Sequence, residues 1–309
     1  RPVAADVLSM VTRPDVLRAA TRIAGRVRRT PMLDVDGSIC FKLEYLQHSG
    51  SFKARGAFNR ILAAERANEL TGAGVVAASG GNAGLAFAHA ARSVGVPAEV
   101  YVPETAPAVK VAKLRALGAT VVQYGQEYVT AYEAARKRQV ETGAVFCHAY
   151  DQSEVVAGQG TVALELPTVD TVLVAVGGGG LVSGIAAALE GRSRVVGVEP
   201  ESCPTLHTAL ATGEPVDVPV GGVAADSLGA RRLGEIAFDV VTRCGVTSLL
   251  VSDEAIVAAR RDLWHRHRIV VEHGAATAWA AVLSGYRPER GERIAVVLCG
   301  ANTDPSDLG

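Results

Sequence analysis

Apolar residues follow an alternation of two patterns along most of the chain. Short, near-continuous apolar runs, which suit strands buried on both faces, occur at 74–78, 98–102, 120–124, 144–147, 171–176, 194–198 and 294–298. Stretches with apolar residues at every third or fourth position lie between most of these runs. Parallel strands joined by crossover helices produce this rhythm. The sequence therefore predicts an α/β protein whose helices cover both faces of a parallel sheet.

Helix boundaries are predicted from capping residues and breakers. Pro14 suits a first helical turn, and Ser252 suits an N-cap. The segment 199–230 is rich in Pro, Gly and Thr and is interpreted as a long loop, while 39–43 is interpreted as a short strand. The predicted helices span 14–27, 52–67, 83–95, 109–117, 128–142, 181–189, 252–267 and 274–283.

Composition excludes several classes of function. The 309 residues suffice for a large core in two lobes. The net charge of −1 offers no electrostatic attraction for nucleic acid, and no apolar run approaches the roughly 18 residues of a membrane span. The five cysteines are widely spaced and form no CxxC pair, which is typical of reduced thiols and predicts a cytoplasmic protein without disulfides or structural zinc.

One lysine has unusual flanks. Lys53 follows a Gly-Ser turn and begins a helical pattern in the stretch SGSFKARG. If the Ser51 hydroxyl caps this helix, Lys53 lies in the first turn, where the helix dipole favours the neutral amine. A lysine with a lowered pKa forms Schiff bases with carbonyl compounds. We therefore treat Lys53 as the candidate catalytic residue.

Four consecutive glycines, Gly177 to Gly180, lie between a buried strand and a helix start. Backbone N–H groups at a helix N-terminus suit a phosphate. A dinucleotide loop is the competing interpretation, since Glu199 follows at the place of a ribose-binding acid. The G-x-G-x-x-G spacing fails, however, and no Lys-Ser/Thr follows as in a Walker A loop. A single phosphate on a small cofactor fits better.

Two weaker motifs stand at other strand ends. The sequence SGGN, residues 79–82, could hold an anion such as a substrate carboxylate, or could be only a helix cap with a glycine turn. Cys299 closes the last strand, where a cysteine is usually a small hydrophobe. The histidines are scattered and join no carboxylate cluster, so no metal site is predicted.

Taken together, the motifs SGSFKARG, ASGGNAG, AVGGGGLVSG, VEHGA and LCGAN resemble those of the fold-type II pyridoxal-phosphate (PLP) enzymes, and within them the serine dehydratase-like branch of the serine/threonine dehydratases. The resemblance covers the chain from about Leu17 to Asp304. It implies the tryptophan synthase β-like fold, in which each of two domains is a mostly parallel sheet flanked by helices. The implied large, PLP-binding domain is 1–73 plus 148–309, and the small, substrate-side domain is 74–147. A homodimer is also implied.

The resemblance implies a role for each matching residue. Lys53 matches the lysine that bonds PLP as a Schiff base, Cys299 the residue facing the pyridine nitrogen, and Glu272 an acid near the cofactor. The implied aromatic on the ring, amide on the ring hydroxyl and phosphate loop are Phe52, Asn82, and Gly177, Gly178, Gly179, Gly180 with Leu181. The implied contacts of the substrate carboxylate are Ser79, Gly80, Gly81 and Asn82.

The implied reaction is β-elimination of L-threonine or L-serine to 2-oxobutanoate or pyruvate plus ammonia. A neutral thiol at Cys299 would not hold the pyridine nitrogen protonated, which favours elimination over side reactions. Gly80 stands where related serine racemases carry a serine base, so racemisation is not expected. Thr205 replaces an aspartate of relatives with a divalent metal, which also argues against a metal.

Three alternatives remain open at this point. A β-replacement enzyme of the cysteine synthase type shares the fold, and so would a dehydratase of another β-hydroxy amino acid. A nucleotide-binding module without catalysis is the alternative from a different class.

Overall fold

The computed structural model describes residues 10–308, and this part of the chain contains ten strands, eight of which coincide with predicted strands. β1 and β9 were not predicted: β1 has only three residues and is largely exposed, and β9 is mostly half-buried. The strands are β1 (Met32–Asp34), β2 (Ile39–Lys42), β3 (Val75–Ala78), β4 (Ala98–Val102), β5 (Thr120–Gln123), β6 (Val145–Cys147), β7 (Thr171–Ala175), β8 (Arg194–Pro200), β9 (Thr247–Val251) and β10 (Ile294–Val297).

The strands form two sheets. Four of them make an entirely parallel sheet in the order β5-β4-β3-β6. The other six follow the order β1-β2-β10-β7-β8-β9, in which only β1 is antiparallel to its neighbour. The predicted architecture of two mostly parallel sheets flanked by helices is confirmed.

Twelve α-helices of the described chain cover these sheets. They are α1 (Arg13–Ile23), α2 (Lys53–Arg66), α3 (Asn82–Val94), α4 (Ala108–Ala116), α5 (Tyr128–Thr142), α6 (Ser153–Gly160), α7 (Gly180–Leu189), α8 (Thr205–Thr212), α9 (Ala225–Leu228), α10 (Glu235–Arg243), α11 (Asp253–His267) and α12 (His273–Ser284). The Ser252 hydroxyl accepts from the Ala255 N–H at 3.2 Å and caps α11 as predicted. α1 ends at Ile23, earlier than predicted, because Ala24 is extended and Gly25 has a φ of +74°.

The prediction of a loop at 199–230 was wrong in part. The segment contains α8 and the short α9, which follow Pro204 and Ala224. Glu199, at the end of β8, accepts from the N–H groups of Leu206 and His207 at 2.6 and 2.8 Å. A buried carboxylate therefore satisfies the first turn of α8, which is a contact that propensity does not reveal.

α6 was also missed, because two glycines lower its helix propensity. Both are needed for close packing. A Cβ on Gly158 would stand 2.6 Å from the carbonyl oxygen of Arg55 in α2, and one on Gly160 would stand 2.4 Å from that of Gly184 in α7. α6 therefore packs tightly against α2 on one side and α7 on the other.

Chain topology brings the predicted motifs to neighbouring positions. β7 and β10 are parallel neighbours, so the glycine loop after β7 and Cys299 after β10 lie at the same edge of the large sheet. The SGGN motif follows β3 of the small sheet. The site is built at the carboxyl ends of these strands.

Candidate active site

Lys53 is held in place by the end of β10. The Phe52 N–H donates to the Cys299 carbonyl oxygen at 3.0 Å, and Ser51 forms an isolated antiparallel bridge with Gly300. α2 begins at Lys53, one residue after the predicted start, so Lys53 lies in the first turn as expected. The lysine is therefore fixed beside Cys299 by backbone pairing across the length of the chain.

Ser51 does not cap α2, contrary to the prediction. The N-cap is Phe52, in helical conformation and without a side-chain cap, and the buried Ser51 hydroxyl has no hydrogen-bond partner. The helix start is set by the bridge to Gly300 rather than by a hydroxyl. The local sequence suggests a cap because Ser is a common N-cap residue, but pairing with a distant strand takes precedence.

The Lys53 amine has no carboxylate partner. Its Nζ donates to the Ala149 carbonyl oxygen at 2.8 Å and lies 5.0 Å from the centre of the Phe52 ring. Burial of the amine lowers the pKa of Lys53 to about 8, and the partly opposing contributions come from Cys299 and Glu272. An amine with this pKa is substantially neutral near pH 8 and can act as a nucleophile or a base.

The glycine loop requires glycine for its shape and for its packing. Gly179 has a φ of +88°, which disfavours other residues. A Cβ on Gly178 would stand 2.4 Å from atoms of the Tyr150 ring. The backbone N–H groups of Gly177 to Leu181 have no acceptor among the described residues. A row of free donors at the start of α7 is suited to an anion.

A buried hydroxyl fastens the other side of this loop. The Thr205 Oγ1 donates to the Gly177 carbonyl oxygen at 2.5 Å and lies 3.1 Å from Glu199 Oε1. Burial raises the pKa of Glu199 to about 7, although the hydrogen bonds to it oppose this shift. Glu199 serves α8 and Thr205, so the carboxylate is not available as a ribose-binding acid.

The SGGN motif begins α3, with Gly81 as its N-cap. The Gly81 N–H donates to the Ser79 hydroxyl at 3.3 Å, while the N–H groups of Gly80, Asn82 and Ala83 have no acceptor among the described residues. These donors form a second anion-binding cradle.

The Asn82 side chain is oriented by two partners. Its Nδ2 donates to Glu272 Oε1 at 2.8 Å, and its Oδ1 accepts from Asn302 Nδ2 at 2.7 Å. Burial raises the pKa of Glu272 to about 7. Glu272 thus contacts a predicted cofactor residue directly and orients its amide.

Cys299 provides a neutral thiol. It is only 3% exposed, and burial raises the pKa of its thiol well above the ordinary value. A thiol in this setting carries no charge at physiological pH.

The predicted cofactor residues surround one space, here called the inner cavity. Four of its residues escaped the sequence analysis, because no local motif marks them: Tyr150, Ala175, Ser227 and Leu228. The predicted residues on its wall are Phe52, Lys53, Asn82, Gly177, Gly178, Gly179, Gly180, Leu181 and Cys299, together with Glu272.

A second space, here called the outer cleft, adjoins the inner cavity. Asn82, Ser227 and Glu272 belong to both, whereas Gly80 and Gly81 line only the outer cleft. The structure therefore separates the carboxylate cradle from the glycine loop and places Asn82 between them.

The inner cavity fits PLP on its own chemistry. Free N–H donors at one end suit a phosphate, an amine of lowered pKa suits an aldehyde, and a neutral thiol suits a pyridine nitrogen. The backbone N–H groups of Gly177 to Leu181, on the wall of this cavity, are donors for which the described protein supplies no acceptor.

Comparison with known proteins agrees with this chemistry. The family described as pyridoxal-phosphate dependent enzymes matches residues 23–300. The chain belongs to this family. Its cofactor is PLP, and the alternative of a nucleotide-binding module without catalysis is rejected.

Individual relatives are similar over nearly the whole chain. An L-threonine ammonia-lyase of Thermotoga maritima is 37% identical over 96% of this chain and 76% of its own. A phenylserine dehydratase of Ralstonia pickettii is 37% identical over 96% of both chains. The solved structure of maize serine racemase superposes with a TM-score of 0.90 at 32% identity, covering 96% of this chain and 95% of that one.

No group of three or more His, Cys, Asp and Glu side chains within 10–308 is placed to hold a metal ion. None of the helices there is long and apolar enough to span a membrane.

Proposed function

We propose that the protein dehydrates and deaminates L-threonine and L-serine, releasing 2-oxobutanoate or pyruvate together with ammonia. The observation that carries the proposal is the Lys53 amine of lowered pKa, which shares a cavity with the glycine loop and adjoins a separate carboxylate cradle. The similarity to an L-threonine ammonia-lyase over 96% of the chain supports it.

Two separate groups of residues form two anion sites, one for the cofactor phosphate and one for the substrate carboxylate. The N–H groups of Gly177 to Leu181 would hold the cofactor phosphate, and Phe52 and Cys299, on the same cavity wall, would contact its ring. Ser79, Gly80 and Gly81, with the first N–H groups of α3, hold the substrate carboxylate. Asn82 stands between the two sites, and Glu272 and Asn302 fix its orientation.

Lys53 is the proton-transfer residue. Bound PLP supplies an electron sink that acidifies the Cα proton of the substrate. The neutral Lys53 amine removes that proton, because burial without a carboxylate partner lowers the pKa of Lys53 to about 8 and so supplies a large neutral fraction near that pH. The bond from Cβ to the hydroxyl oxygen then breaks, and the hydroxyl leaves as water, which accounts overall for the proton taken from Cα. Addition of one water to the unsaturated amine then releases ammonia and leaves the 2-oxo acid.

Elimination is favoured over racemisation by the position of Gly80. This residue lines the outer cleft and carries no side chain that could exchange a proton. Lys53 is the basic side chain on the inner cavity wall, and the neutral Cys299 thiol does not supply a second base.

The decisive test is product analysis with purified holoenzyme. We expect 2-oxo acid and ammonia in equal amounts from L-threonine or L-serine without added thiol, and no D-serine. Ammonia release that requires a thiol or sulfide would instead indicate a β-replacement enzyme. Formation of D-serine at a comparable rate would overturn the assignment to elimination.

The division into domains is part of the proposal. We assign residues 1–73 with 148–309 to the large domain and 74–147 to the small one. The separate four-stranded sheet formed by β3 to β6 supports this boundary. Limited proteolysis that cuts first near 74 or 147 is the expected outcome.

We also propose a cytoplasmic homodimer. Its support is the resemblance to the dehydratase family and the five free cysteines, which suit a reducing compartment. Light scattering of the purified protein would measure twice the chain mass of 32.0 kDa.

A further inference from the structure

The outer cleft is bounded by two parts of the chain that are distant in sequence. One wall contains the SGGN motif and α4, and the opposite wall contains α9. The segment 220–228, here called the strap, carries α9 and passes in front of the cradle. A Cβ on Gly81 would stand 3.9 Å from the Asp226 carbonyl oxygen. The strap therefore lies directly beside the place proposed for the substrate carboxylate.

One ion pair joins the two walls. Lys110 of α4 binds the Asp226 carboxylate of α9, and both residues line the outer cleft. Within the described chain, this is the only salt bridge between residues 74–147 and the remainder. Within residues 10–308, a salt bridge thus crosses the outer cleft at one place, between Lys110 and Asp226.

The backbone of the strap is anchored at both ends. The Val223 N–H donates to Asp253 Oδ2 at 3.1 Å, and Gly222 packs so closely that a Cβ would stand 2.5 Å from the same carboxylate. At the other end, a Cβ on Gly177 would stand 3.0 Å from Leu228 backbone atoms. The backbone that carries Asp226 is therefore fixed. Selection among substrates depends on the Asp226 side chain rather than on the backbone.

The outer cleft around the pair contains exposed apolar side chains as well as further charged residues. Val109 and Val223 are 61% and 38% exposed at the rim of the cleft. Lys113, one turn after Lys110 in α4, also lines the cleft and forms no salt bridge. Lys110 is paired with Asp226, so Lys113 is the lysine of the outer cleft that a second substrate carboxylate could still meet, against the carboxyl groups of Asp226, Glu272 and Asp304.

We propose that the Lys110–Asp226 pair is a specificity gate, which admits uncharged side chains of β-hydroxy amino acids and rejects those with a second carboxylate. This rests on the proposed function for its substrate class. The physical reason is like-charge repulsion from Asp226 close to the cradle, combined with occupation of Lys110.

The test uses two variants that change the gate charge in opposite directions. Asp226→Asn frees Lys110, and Lys110→Met frees Asp226, with little change in volume. Calorimetry on the holoenzyme measures the dissociation constants of L-aspartate and L-2-aminobutyrate, which lack the leaving hydroxyl. We expect the ratio of L-aspartate to L-2-aminobutyrate constants to fall about fivefold in Asp226→Asn and to rise about fivefold in Lys110→Met, as expected for one charge a few ångströms away near a protein surface.

The kinetic counterpart compares kcat/KM for L-threo-3-hydroxyaspartate and L-threonine. The same two variants should shift this ratio in opposite directions, and the double variant should return toward the wild-type ratio. Because the binding ratio needs no turnover, failure of the proposed function and failure of the gate are distinguishable.

Two controls isolate the pair. Lys137→Met removes the exposed Lys137–Glu141 pair of α5 and should leave both ratios unchanged. Lys113→Met removes an unpaired positive charge from the same cleft. It shows how far the loss of any such charge changes the two ratios. Equal shifts in Lys113→Met and Lys110→Met, or shifts of the same sign in both gate variants, would overturn the gate.

Discussion

The first turn of α2 presents two cationic residues to two different environments. Arg55 enters a buried cluster, where its Nε lies 2.6 Å from Glu44 Oε1 and its Nη1 lies 2.7 Å from Glu165 Oε1. Lys53, two residues earlier, enters the inner cavity and meets only the Ala149 carbonyl oxygen. One helix end therefore holds a fully paired cation and an unpaired one side by side.

Lys42 makes the comparison sharper, because it is also a buried lysine. Its Nζ lies 2.6 Å from Glu165 Oε2 and 2.7 Å from the Thr30 carbonyl oxygen. Burial lowers the pKa of Lys42, but the hydrogen bond and the charge of Glu165 oppose that shift. Lys53 has no such partner, and its pKa falls to about 8. A nearby carboxylate thus separates a structural lysine from a reactive one.

The charge cluster also positions the reactive lysine. Glu44 follows β2, and Glu165 ends the short 3₁₀ helix Thr161–Glu165, so Arg55 ties α2 to both segments. The carboxylates of Glu44 and Glu165 lie on the far side of α2 from the inner cavity. The amine of Lys53 can remain neutral because of this placement.

Removing the reactive lysine should have the largest effect on activity. We expect Lys53→Ala to lower kcat for L-threonine at least about a thousandfold, since a general base and the covalent anchor are lost together. Thermal unfolding of this variant should be little changed, because Lys53 has no ionic partner. Turnover close to that of the wild type would contradict its role.

Breaking the charge cluster should instead lower stability. Arg55→Met leaves the buried Glu44 and the half-buried Glu165 without their main partner. We expect the free energy of unfolding to fall by about 3–5 kcal/mol, as measured by urea denaturation. Arg18→Met, which removes the exposed pair with Asp15, is the control and should have no measurable effect.

The pH dependence of cofactor uptake tests the state of Lys53 directly. Only the neutral amine can attack an aldehyde, so the rate at which apoprotein takes up PLP should rise about tenfold per pH unit below the Lys53 pKa. The rate should level off above pH 8, where the amine is deprotonated. Stopped-flow absorbance measures it, and a rate that continues to rise beyond pH 10 would mean an unperturbed lysine.

Exchanging the thiol should have the smallest effect. Cys299→Ser replaces one neutral group by another. We expect the plateau rate of PLP uptake to stay within about threefold of the wild-type rate, as for the change of one weak hydrogen bond. Cys299→Asp places an anion near Lys53, which should raise the Lys53 pKa and move the midpoint of the uptake profile to higher pH. An unchanged midpoint in Cys299→Asp would indicate that the two groups do not interact.

Local sequence patterns were sufficient to predict many of the strands, the glycine loops and the candidate lysine. Buried parallel strands appear as apolar runs, because both of their faces are covered, and glycine loops appear at strand ends, because close backbone approach excludes side chains. Lys53 could be selected from its helix-start position within SGSFKARG. These features depend on neighbours in sequence, so the sequence is sufficient to find them.

Contacts between distant residues were decided only by the tertiary structure. The start of α2 is set by Gly300 rather than by the Ser51 hydroxyl, and Asn82 is oriented by Glu272 and Asn302, about 190 or more positions away. No periodicity records such a pairing.

The protonation states of Lys42 and Lys53 also depend on tertiary contacts rather than on local sequence. The sequence by itself shows Lys42 in a strand and Lys53 at a helix start. Only the folded chain brings Glu165 to Lys42 and leaves Lys53 with a carbonyl oxygen. Whether a buried amine stays charged depends on the carboxylates that surround it in space, and that arrangement exists only in the tertiary structure.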